Sequence, residues 1–259
     1  MSDTYSAVDR SPDRAAALDW QDRIDAWPAV GAYKRRTYEL VGDRGPVLDV
    51  GCGTGHDLVA LGTPAFGLDA SLAMCGRARS RSTIVLRGDA MRLPLASGSC
   101  AAARADRVLQ HLHDPAAALA ELVRVTRPGG RVVTADPDQG SLVIEVPGAA
   151  DTLVSRVTAL RREIGYRNGT YARRLPRLLG ELGLVDVTVD AFPLVLTNPD
   201  DAFGLPTWVD YWRAEGPFGD REAAEWAAAI RRAREQPGFV FALLYLVTSG
   251  RKPGDGARG

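Results

Sequence analysis

The chain has 259 residues, 46% of them hydrophobic and 25% charged, which is enough apolar sequence to bury a sizeable core. Its 32 Lys and Arg side chains balance 32 Asp and Glu side chains, and this zero net charge disfavours the broad positive field of proteins that bind DNA or RNA. Three cysteines without a C-x-x-C pair disfavour a disulfide framework, and no window approaches the roughly 18 apolar residues of a membrane span.

The N-terminal part is predicted to be helical. Apolar residues from Ala15 to Val41 follow a polar leader, recur at mixed helical spacing and are interrupted at Pro28, which indicates two helices. The basic run at residues 34–36 is more typical of a solvated helix face than of a binding patch. We assign residues 1–42 to an N-terminal helical segment that acts as a lid.

From Gly45 onward, short apolar runs alternate with helix-length segments. Five runs have the length and composition of buried strands: Pro46–Val50, Ala65–Leu68, Ile84–Leu86, Ala101–Val108 and Arg131–Ala135. Helices are expected from about Asp57 and over Pro115–Thr126, and Arg127–Gly130 is expected to separate the second of these helices from the fifth strand. The alternation predicts an α/β fold with a mostly parallel, doubly wound sheet, helices on both faces and a core at residues 43–138.

Beyond Gly140 the pattern loosens. Helices are predicted at Ala149–Ile164 and Tyr171–Leu182, and two further strands at Val185–Val189 and Phe239–Val247, which makes the sheet seven-stranded. The segment between these two strands is rich in aromatic residues: Phe203, Trp208, Tyr211, Trp212, Phe218 and Trp226. We predict that residues 139–250 complete the core and carry an inserted, partly helical substrate cap, and that residues 251–259 form a flexible tail.

A glycine-rich turn follows the first predicted strand directly. Glycines at 51, 53 and 55 admit positive φ and let a ligand approach the backbone closely. Asp49, two residues before the first glycine, would lie under the turn and bind either its amides or the ammonium of an amino-acid ligand. A carboxylate there offers nothing to a pyrophosphate, so a nicotinamide-dependent oxidoreductase is the weaker alternative.

Two further carboxylates end the next two strands. Asp69 follows Asp49 by about 20 residues, the distance at which an acidic side chain reaches the ribose hydroxyls of an adenosine. Asp89 would accept a hydrogen bond from the adenine amino group, with Met74 and Met91 as apolar walls. Because parallel strands end at one edge of a sheet, we expect these carboxylates to share a ligand site there.

These segments resemble the class I S-adenosylmethionine-dependent methyltransferases, in particular the ubiquinone/menaquinone-biosynthesis type and its small-molecule relatives. The resemblance lies in VLDVGCGTGHD, GLDAS, RGDAMRLPL, RVLQHLHDP, ELVRVTRPGGRVVTADP and GRKP, and runs from about residue 32 to 138. It implies a Rossmann-like fold and S-adenosylmethionine as cofactor. The implied cofactor-binding residues are Tyr33, Asp49, Gly51, Cys52, Gly53, Gly55, Asp69, Ala70, Met74, Asp89, Ala90 and Arg107.

Within that set, the resemblance assigns the three glycines to the methionine part, Asp69 to the ribose, and Asp89 with Ala90 to the adenine. Tyr33 resembles an N-terminal residue that closes over the cofactor, although plain helix packing explains it equally well. Arg107 lies in the segment that lines the methionine end in this family. The N/D-P-P-Y/F signature of base-flipping and glutamine methyltransferases is missing after the fourth strand, which again disfavours nucleic acid.

His111 is the candidate general base. It follows the fourth strand, and an imidazole has a suitable pKa for accepting a proton from an oxygen or carbon acceptor. A purely structural role, capping the helix that starts near Asp114, is the alternative. Asp136 could orient this histidine or contact substrate. No metal site is expected, because His111 and His113 have the wrong spacing and no third ligand is near.

The sequence therefore predicts a cytoplasmic enzyme, monomeric or homodimeric, that methylates a small hydrophobic metabolite in secondary metabolism or natural product biosynthesis. O-methylation is favoured over methylation of a carbon or a nitrogen. Trp208, Tyr211 and Trp212 are the candidate substrate-binding residues, with core packing as the alternative. A second hypothesis keeps the cofactor but replaces methyl transfer by a cyclisation or rearrangement, since fold does not fix function.

Overall fold

The computed structural model describes residues 8–11, 13–42, 45–61, 64–81, 84–214 and 216–254, with the side chain of Ile164 left out. Most of the predicted polar leader, residues 1–7 and 12, lies outside the described residues, as do residues 255–259 of the predicted tail.

The two predicted N-terminal helices are present. Helix α1 spans Arg14–Asp25, and the carboxylate of Asp13 caps it by accepting a hydrogen bond from the Ala16 amide. Helix α2 spans Pro28–Val41, and Pro28 begins it, because proline at the first helical position loses no intrahelical hydrogen bond. Gly42, with φ of +67°, ends it.

The seven strands form one sheet in the order β3-β2-β1-β4-β5-β7-β6. They are β1 Val47–Val50, β2 Ala65–Asp69, β3 Val85–Arg87, β4 Cys100–Asp106, β5 Thr126–Glu145, β6 Val185–Leu196 and β7 Val240–Arg251. β1 pairs in parallel with β2 and β4, so Asp49 lies level with Gly67 on one side and Arg104 on the other. The predicted mostly parallel, seven-stranded Rossmann-like sheet is confirmed.

The helices that follow α2 lie between and after the strands. They are α3 His56–Ala60, α4 Leu72–Arg79, α5 Pro115–Val125, α6 Asp151–Ile164, α7 Leu175–Glu181, α8 Trp208–Arg213 and α9 Asp220–Glu235. Within the described ranges, none is both long and apolar enough to cross a membrane.

The predicted bounds of the fifth and sixth strands are wrong. β5 begins at Thr126, because residues 126–130 belong to the strand despite a φ of +75° at Gly129, and a register shift at Cys100/Ala102 accommodates the extra residues instead of interrupting the strand. It also continues past Asp136 to Glu145, where buried Leu142 and Ile144 alternate with exposed neighbours. β6 likewise extends beyond Val189 to Leu196.

The chain forms two compact units. Unit 1 comprises residues 1–138, 167–192 and 245–259, and its core is apolar strand residues packed against α5 and α7. Unit 2 comprises residues 139–166 and 193–244, and its largest buried side chains are Trp208, Trp212 and Trp226. The sequence-based boundaries after residues 42, 138 and 250 remain a prediction.

Candidate functional site

The glycine-rich turn between β1 and α3 takes a conformation that only glycine adopts without strain. Gly51 and Gly53 have φ of +67° and +52°. A Cβ on Gly51 would overlap the Val108 side chain, whereas one on Gly53 would come no closer than 3.9 Å to Gln21. The turn therefore fits tightly against the segment after β4 at its start and leaves bare, accessible backbone at its middle.

Asp69, at the end of β2, lies directly against this turn. One of its carboxylate oxygens accepts a hydrogen bond from the Gly53 amide at 2.9 Å and the other from the Ser71 amide at 2.9 Å. Burial raises the pKa of Asp69. The structure thus joins the second predicted carboxylate to the glycine turn through the backbone.

Asp49 lies beneath the turn and binds a buried arginine. The Arg104 guanidinium donates to Asp49 at 2.7 Å, lies 2.8 Å from Asp57 and 3.2 Å from Asp106, and is fully shielded from solvent. Its Nε donates to the Thr37 hydroxyl at 2.8 Å. Arg104 therefore connects β1, α3, β4 and α2 around the glycine turn.

Lys34 extends this arrangement from the side of α2. Its ammonium, 4% exposed, donates to Asp25 and Asp57 at 2.7 Å each and lies 3.6 Å from Asp106. Arg107 also bonds Asp25 and lies 3.6 Å from Asp106. Together these side chains form what we term the charge cluster: the carboxylates Asp25, Asp49, Asp57 and Asp106 with the cations Lys34, Arg104 and Arg107.

Proton affinities in the charge cluster follow from its contacts. Burial outweighs the neighbouring Arg104 and raises the pKa of Asp49 to about 6. Burial also acts on Asp57, but Arg104 and Lys34 outweigh it and hold the pKa of Asp57 low. Burial also acts on Asp25, but Arg107 and Lys34 outweigh it and lower the pKa of Asp25, so Asp49 takes up a proton more readily than Asp25 or Asp57.

Tyr33, predicted to close over the cofactor, is buried beside the charge cluster. Its hydroxyl donates to Asp106 at 3.1 Å, and its ring stacks on Tyr245 with centroids 4.5 Å apart. Burial raises the pKa of Tyr33, so its hydroxyl stays neutral.

The remaining predicted cofactor residues follow β1, β2 or β3 in the chain or lie on α4. Asp89 is exposed, and its carboxylate accepts from the Met91 amide at 2.9 Å, while Ala90 beside it is buried. Met74 is buried on α4, Ala70 is exposed after β2, and Cys52 is buried in the glycine turn. Their roles stay predictions.

His111 lies in a short 3₁₀ turn, Leu109–His111, that follows β4. The turn begins after Arg107, whose φ of +58° is rare for a non-glycine residue, and the His111 amide donates to the Val108 carbonyl at 3.0 Å. Asp136, in β5, accepts from the Gln110 amide at 3.5 Å, and burial raises the pKa of Asp136 well above its usual value.

The predicted substrate residues belong to unit 2. Trp208 and Trp212 are almost completely buried there, with ring centroids 5.7 Å apart, and the Trp208 indole donates to the Phe203 carbonyl at 3.1 Å. Tyr211 is 43% exposed. Substrate binding by these residues stays a prediction.

The sequence interpretation missed most of the charge cluster. Five of its members were not predicted to form ion pairs: Asp25, Lys34, Asp57, Arg104 and Asp106. The sequence gives an indication only for the two in β4, because they are charged residues that interrupt an otherwise alanine-rich strand. Charge inside a buried strand needs partners, so that interruption could have indicated an internal ion-pair network.

Comparison with known proteins identifies a matching domain family and several relatives. A methyltransferase domain family matches residues 48–134. An uncharacterised 37.1 kDa protein in transposon Tn4556 of Streptomyces fradiae is 35% identical over 93% of this chain and 72% of its own length. The demethylmenaquinone methyltransferase of Renibacterium salmoninarum is 32% identical over 51% of this chain and 62% of its own length.

The chain belongs to the class I S-adenosylmethionine-dependent methyltransferases. S-adenosylmethionine is the cofactor of this methyltransferase family. Among solved structures, phosphoethanolamine N-methyltransferase 2 of Haemonchus contortus, in complex with S-adenosylhomocysteine, shares the methyltransferase fold with a TM-score of 0.57. It is 15% identical over 95% of this chain and 59% of that one.

The side chains around the glycine turn fit such a cofactor. The backbone at Gly53 is open, Asp69 is held against it, and the charge cluster beneath holds one carboxylate more than it holds cations. A ligand with an ammonium and a sulfonium group suits that imbalance. Over the described ranges, the methyltransferase has no group of three or more His, Cys, Asp or Glu side chains arranged to bind a metal ion.

Proposed function

We propose that this methyltransferase transfers the methyl group of S-adenosylmethionine to an oxygen of a small hydrophobic metabolite, in secondary metabolism. The observation that carries the proposal is the junction of the open glycine turn, Asp69 and the buried charge cluster. The similarity to a demethylmenaquinone methyltransferase supports a small apolar acceptor, and that relative's partial coverage leaves the acceptor itself a proposal.

The chain's own residues would bind the cofactor at two points. Asp69 is held by the Gly53 and Ser71 amides in a fixed orientation, suited to accepting hydrogen bonds from ribose hydroxyls. Asp49 and the carbonyl groups of the turn would receive the ammonium end. When bound, the cofactor supplies an electrophilic methyl group on a sulfonium sulfur.

His111 would take the proton released in the reaction. The bound cofactor would supply the methyl group and keep the electron pair of the broken carbon–sulfur bond on its sulfur, and the His111 imidazole would accept the proton of the acceptor hydroxyl. The 3₁₀ turn places His111 immediately after the Arg107 and Val108 segment that packs on Gly51. Most of the rate gain would come from orienting the two reactants in a dry site.

Two measurements test the proposal in order. Isothermal titration with S-adenosylmethionine should show saturable binding to the folded chain, and its absence at millimolar concentration would contradict the proposal. Incubation with a panel of phenols and hydroquinones should then give products heavier by one methylene unit. A product of unchanged mass would instead support a cyclisation or rearrangement.

The role of His111 has a matched control in the chain. His111→Gln should lower kcat by roughly 100-fold or more, whereas the same change at exposed His113 should leave kcat unchanged. S-adenosylmethionine affinity should be similar in both variants. Equal activity of the two variants would remove His111 from the mechanism.

A further inference from the structure

The charge cluster beneath the glycine turn is out of balance. Its seven side chains are at most 14% exposed, and four carboxylates face three cations. If every member is ionised, the buried set carries one net negative charge. An uncompensated buried charge raises the free energy of the folded protein. Binding of either a proton or a cation to the cluster is therefore favoured.

Of the four carboxylates in the charge cluster, Asp49 has the fewest hydrogen-bond partners among the described residues. Asp57 receives hydrogen bonds from Lys34 and the Tyr38 hydroxyl and contacts Arg104 as well. Through the described part of the chain, Arg104 alone donates a side-chain hydrogen bond to Asp49. Burial raises the pKa of Asp49 to about 6, which agrees with its small number of hydrogen-bond partners.

The other groups facing Asp49 keep their charges. Lys34, Arg104 and Arg107 stay cationic, because nearby carboxylates raise their pKa values against the effect of burial. Burial raises the pKa of the Tyr33 and Tyr38 hydroxyls, so both remain neutral. Burial does the same for the Cys52 thiol in the turn. Asp49 therefore takes up a proton more readily than Asp25 and Asp57, whose pKa values the neighbouring cations lower.

We infer that the charge cluster discriminates between ligands by net charge, because a ligand that carries one positive charge displaces the proton on Asp49 and replaces it as the compensating charge. This inference rests on the proposed function, in which the glycine turn binds S-adenosylmethionine. That cofactor has an ammonium, a sulfonium and a carboxylate and so a net charge of plus one. S-adenosylhomocysteine, without the methyl group, is neutral overall.

The expected consequence is preferential release of the product. Once the methyl group has left, the sulfur is uncharged and the cluster loses its compensation, so the spent cofactor is bound less tightly than the fresh one. At an effective dielectric constant of about 20, one charge several ångströms away suffices for a roughly three- to tenfold preference after screening.

Calorimetry on the wild-type chain tests the inference with three ligands. S-adenosylmethionine and sinefungin both carry one positive charge, and S-adenosylhomocysteine carries none. Titrations at pH 5.5 and pH 7, each in two buffers of different ionisation enthalpy, should show release of about half a proton or more at the lower pH for the two cations. Release should be smaller for the neutral ligand and close to zero for all three at pH 7.

A matched pair of variants locates the effect. Asp49→Asn should abolish the proton release and reduce the preference for S-adenosylmethionine over S-adenosylhomocysteine by roughly three- to tenfold. Asp186→Asn removes the same charge from an exposed pair with Arg251 and should change neither quantity. Circular dichroism checks that each variant is folded. If Asp49→Asn does not fold, the wild-type titrations alone test the inference.

The outcomes separate the two proposals. If none of the three ligands binds to the folded wild-type chain, the proposed function fails. If all three bind with equal affinity and without proton release at pH 5.5, the proposed function stands and the charge discrimination is wrong. Proton release that persists in Asp49→Asn would also overturn the inference, because another group would then be its source.

Discussion

At the scale of single residues, Gly51 is constrained both by its backbone conformation and by its packing. It combines a positive φ with a position at which any Cβ would overlap Val108. The Val108 segment also precedes the turn that carries His111. One glycine therefore sets how closely the glycine turn approaches the segment after β4.

Gly51→Ala should lower the free energy of unfolding by about 1–2 kcal/mol from the left-handed backbone alone, with more from the clash. It should also weaken S-adenosylmethionine binding. Gly76→Ala is the control, since Gly76 lies inside α4 with open space around it and should gain up to about 1 kcal/mol. Urea unfolding and calorimetry measure both effects, and equal stability of the two variants would contradict this view of the turn.

Asp136 provides a pH test at the same scale. It is 1% exposed, and burial raises its pKa well above the unfolded value near 3.8. A raised folded pKa means that the protonated side chain stabilises the fold fully below about pH 4 and that this contribution is lost as the pH rises toward the folded pKa. Neutral Asn lacks this dependence.

Asp136→Asn should therefore gain stability relative to wild type as the pH rises from about 4 to 7, by at most about 1.4 kcal/mol per pH unit. Urea midpoints of both chains across this range measure the difference. The two chains should have similar midpoints at the acidic end. Parallel curves throughout would show that Asp136 has the same proton affinity in the folded and unfolded states.

At the scale of elements, α1 and α2 are attached to the sheet in two different ways. The contacts of α2 are buried: Lys34 bonds Asp57, and Tyr33 bonds Asp106. Those of α1 along α4 are half-exposed, such as Asp19 with Arg77 at 2.5 Å. Surface pairs contribute little, whereas breaking a buried pair leaves a charge without compensation. We therefore expect α2 and the C-terminal end of α1, where buried Asp25 bonds Lys34 and Arg107, to be held more firmly than the rest of α1.

Lys34→Met should destabilise the chain by about 3–5 kcal/mol, because Asp25 and Asp57 lose their shared cation while remaining buried. Adding Asp57→Asn should recover part of that loss, since the uncompensated charge is removed. Asp19→Asn should cost less than about 1 kcal/mol. Urea unfolding of the four chains gives the comparison, and equal costs for Lys34→Met and Asp19→Asn would contradict the distinction.

At the scale of the whole molecule, the sequence predicted the sheet well because buried parallel strands read as short apolar runs between helix-length segments. It also predicted that Asp69 and the glycine turn meet, since strand ends share one edge. It misjudged β5, because a glycine-containing stretch can form a bulge as readily as an end.

The site was less predictable than the sheet. Asp49 was predicted to bind the turn or a ligand, and no sequence pattern indicated that it would also bind Arg104. Arg104 and Lys34 come from β4 and α2, and no local pattern reveals a pairing between elements so far apart in the chain. Ion-pair partners depend on tertiary proximity, which periodicity and turn signals do not report.

The division into two units yields a final prediction. The predicted cofactor-binding residues, from Tyr33 to Arg107, belong to unit 1, and the predicted substrate-binding residues Trp208 and Tyr211 belong to unit 2. Trp208→Ala empties a fully buried site and should destabilise unit 2 by about 3–5 kcal/mol, while exposed Tyr211→Ala should cost about 0.5 kcal/mol.

Hydrogen exchange should show lost protection confined to residues 139–166 and 193–244 in Trp208→Ala. S-adenosylmethionine affinity should stay within about twofold of wild type in both variants, because the predicted cofactor-binding residues all belong to unit 1. A large loss of affinity in Trp208→Ala would mean that unit 2 takes part in binding the cofactor.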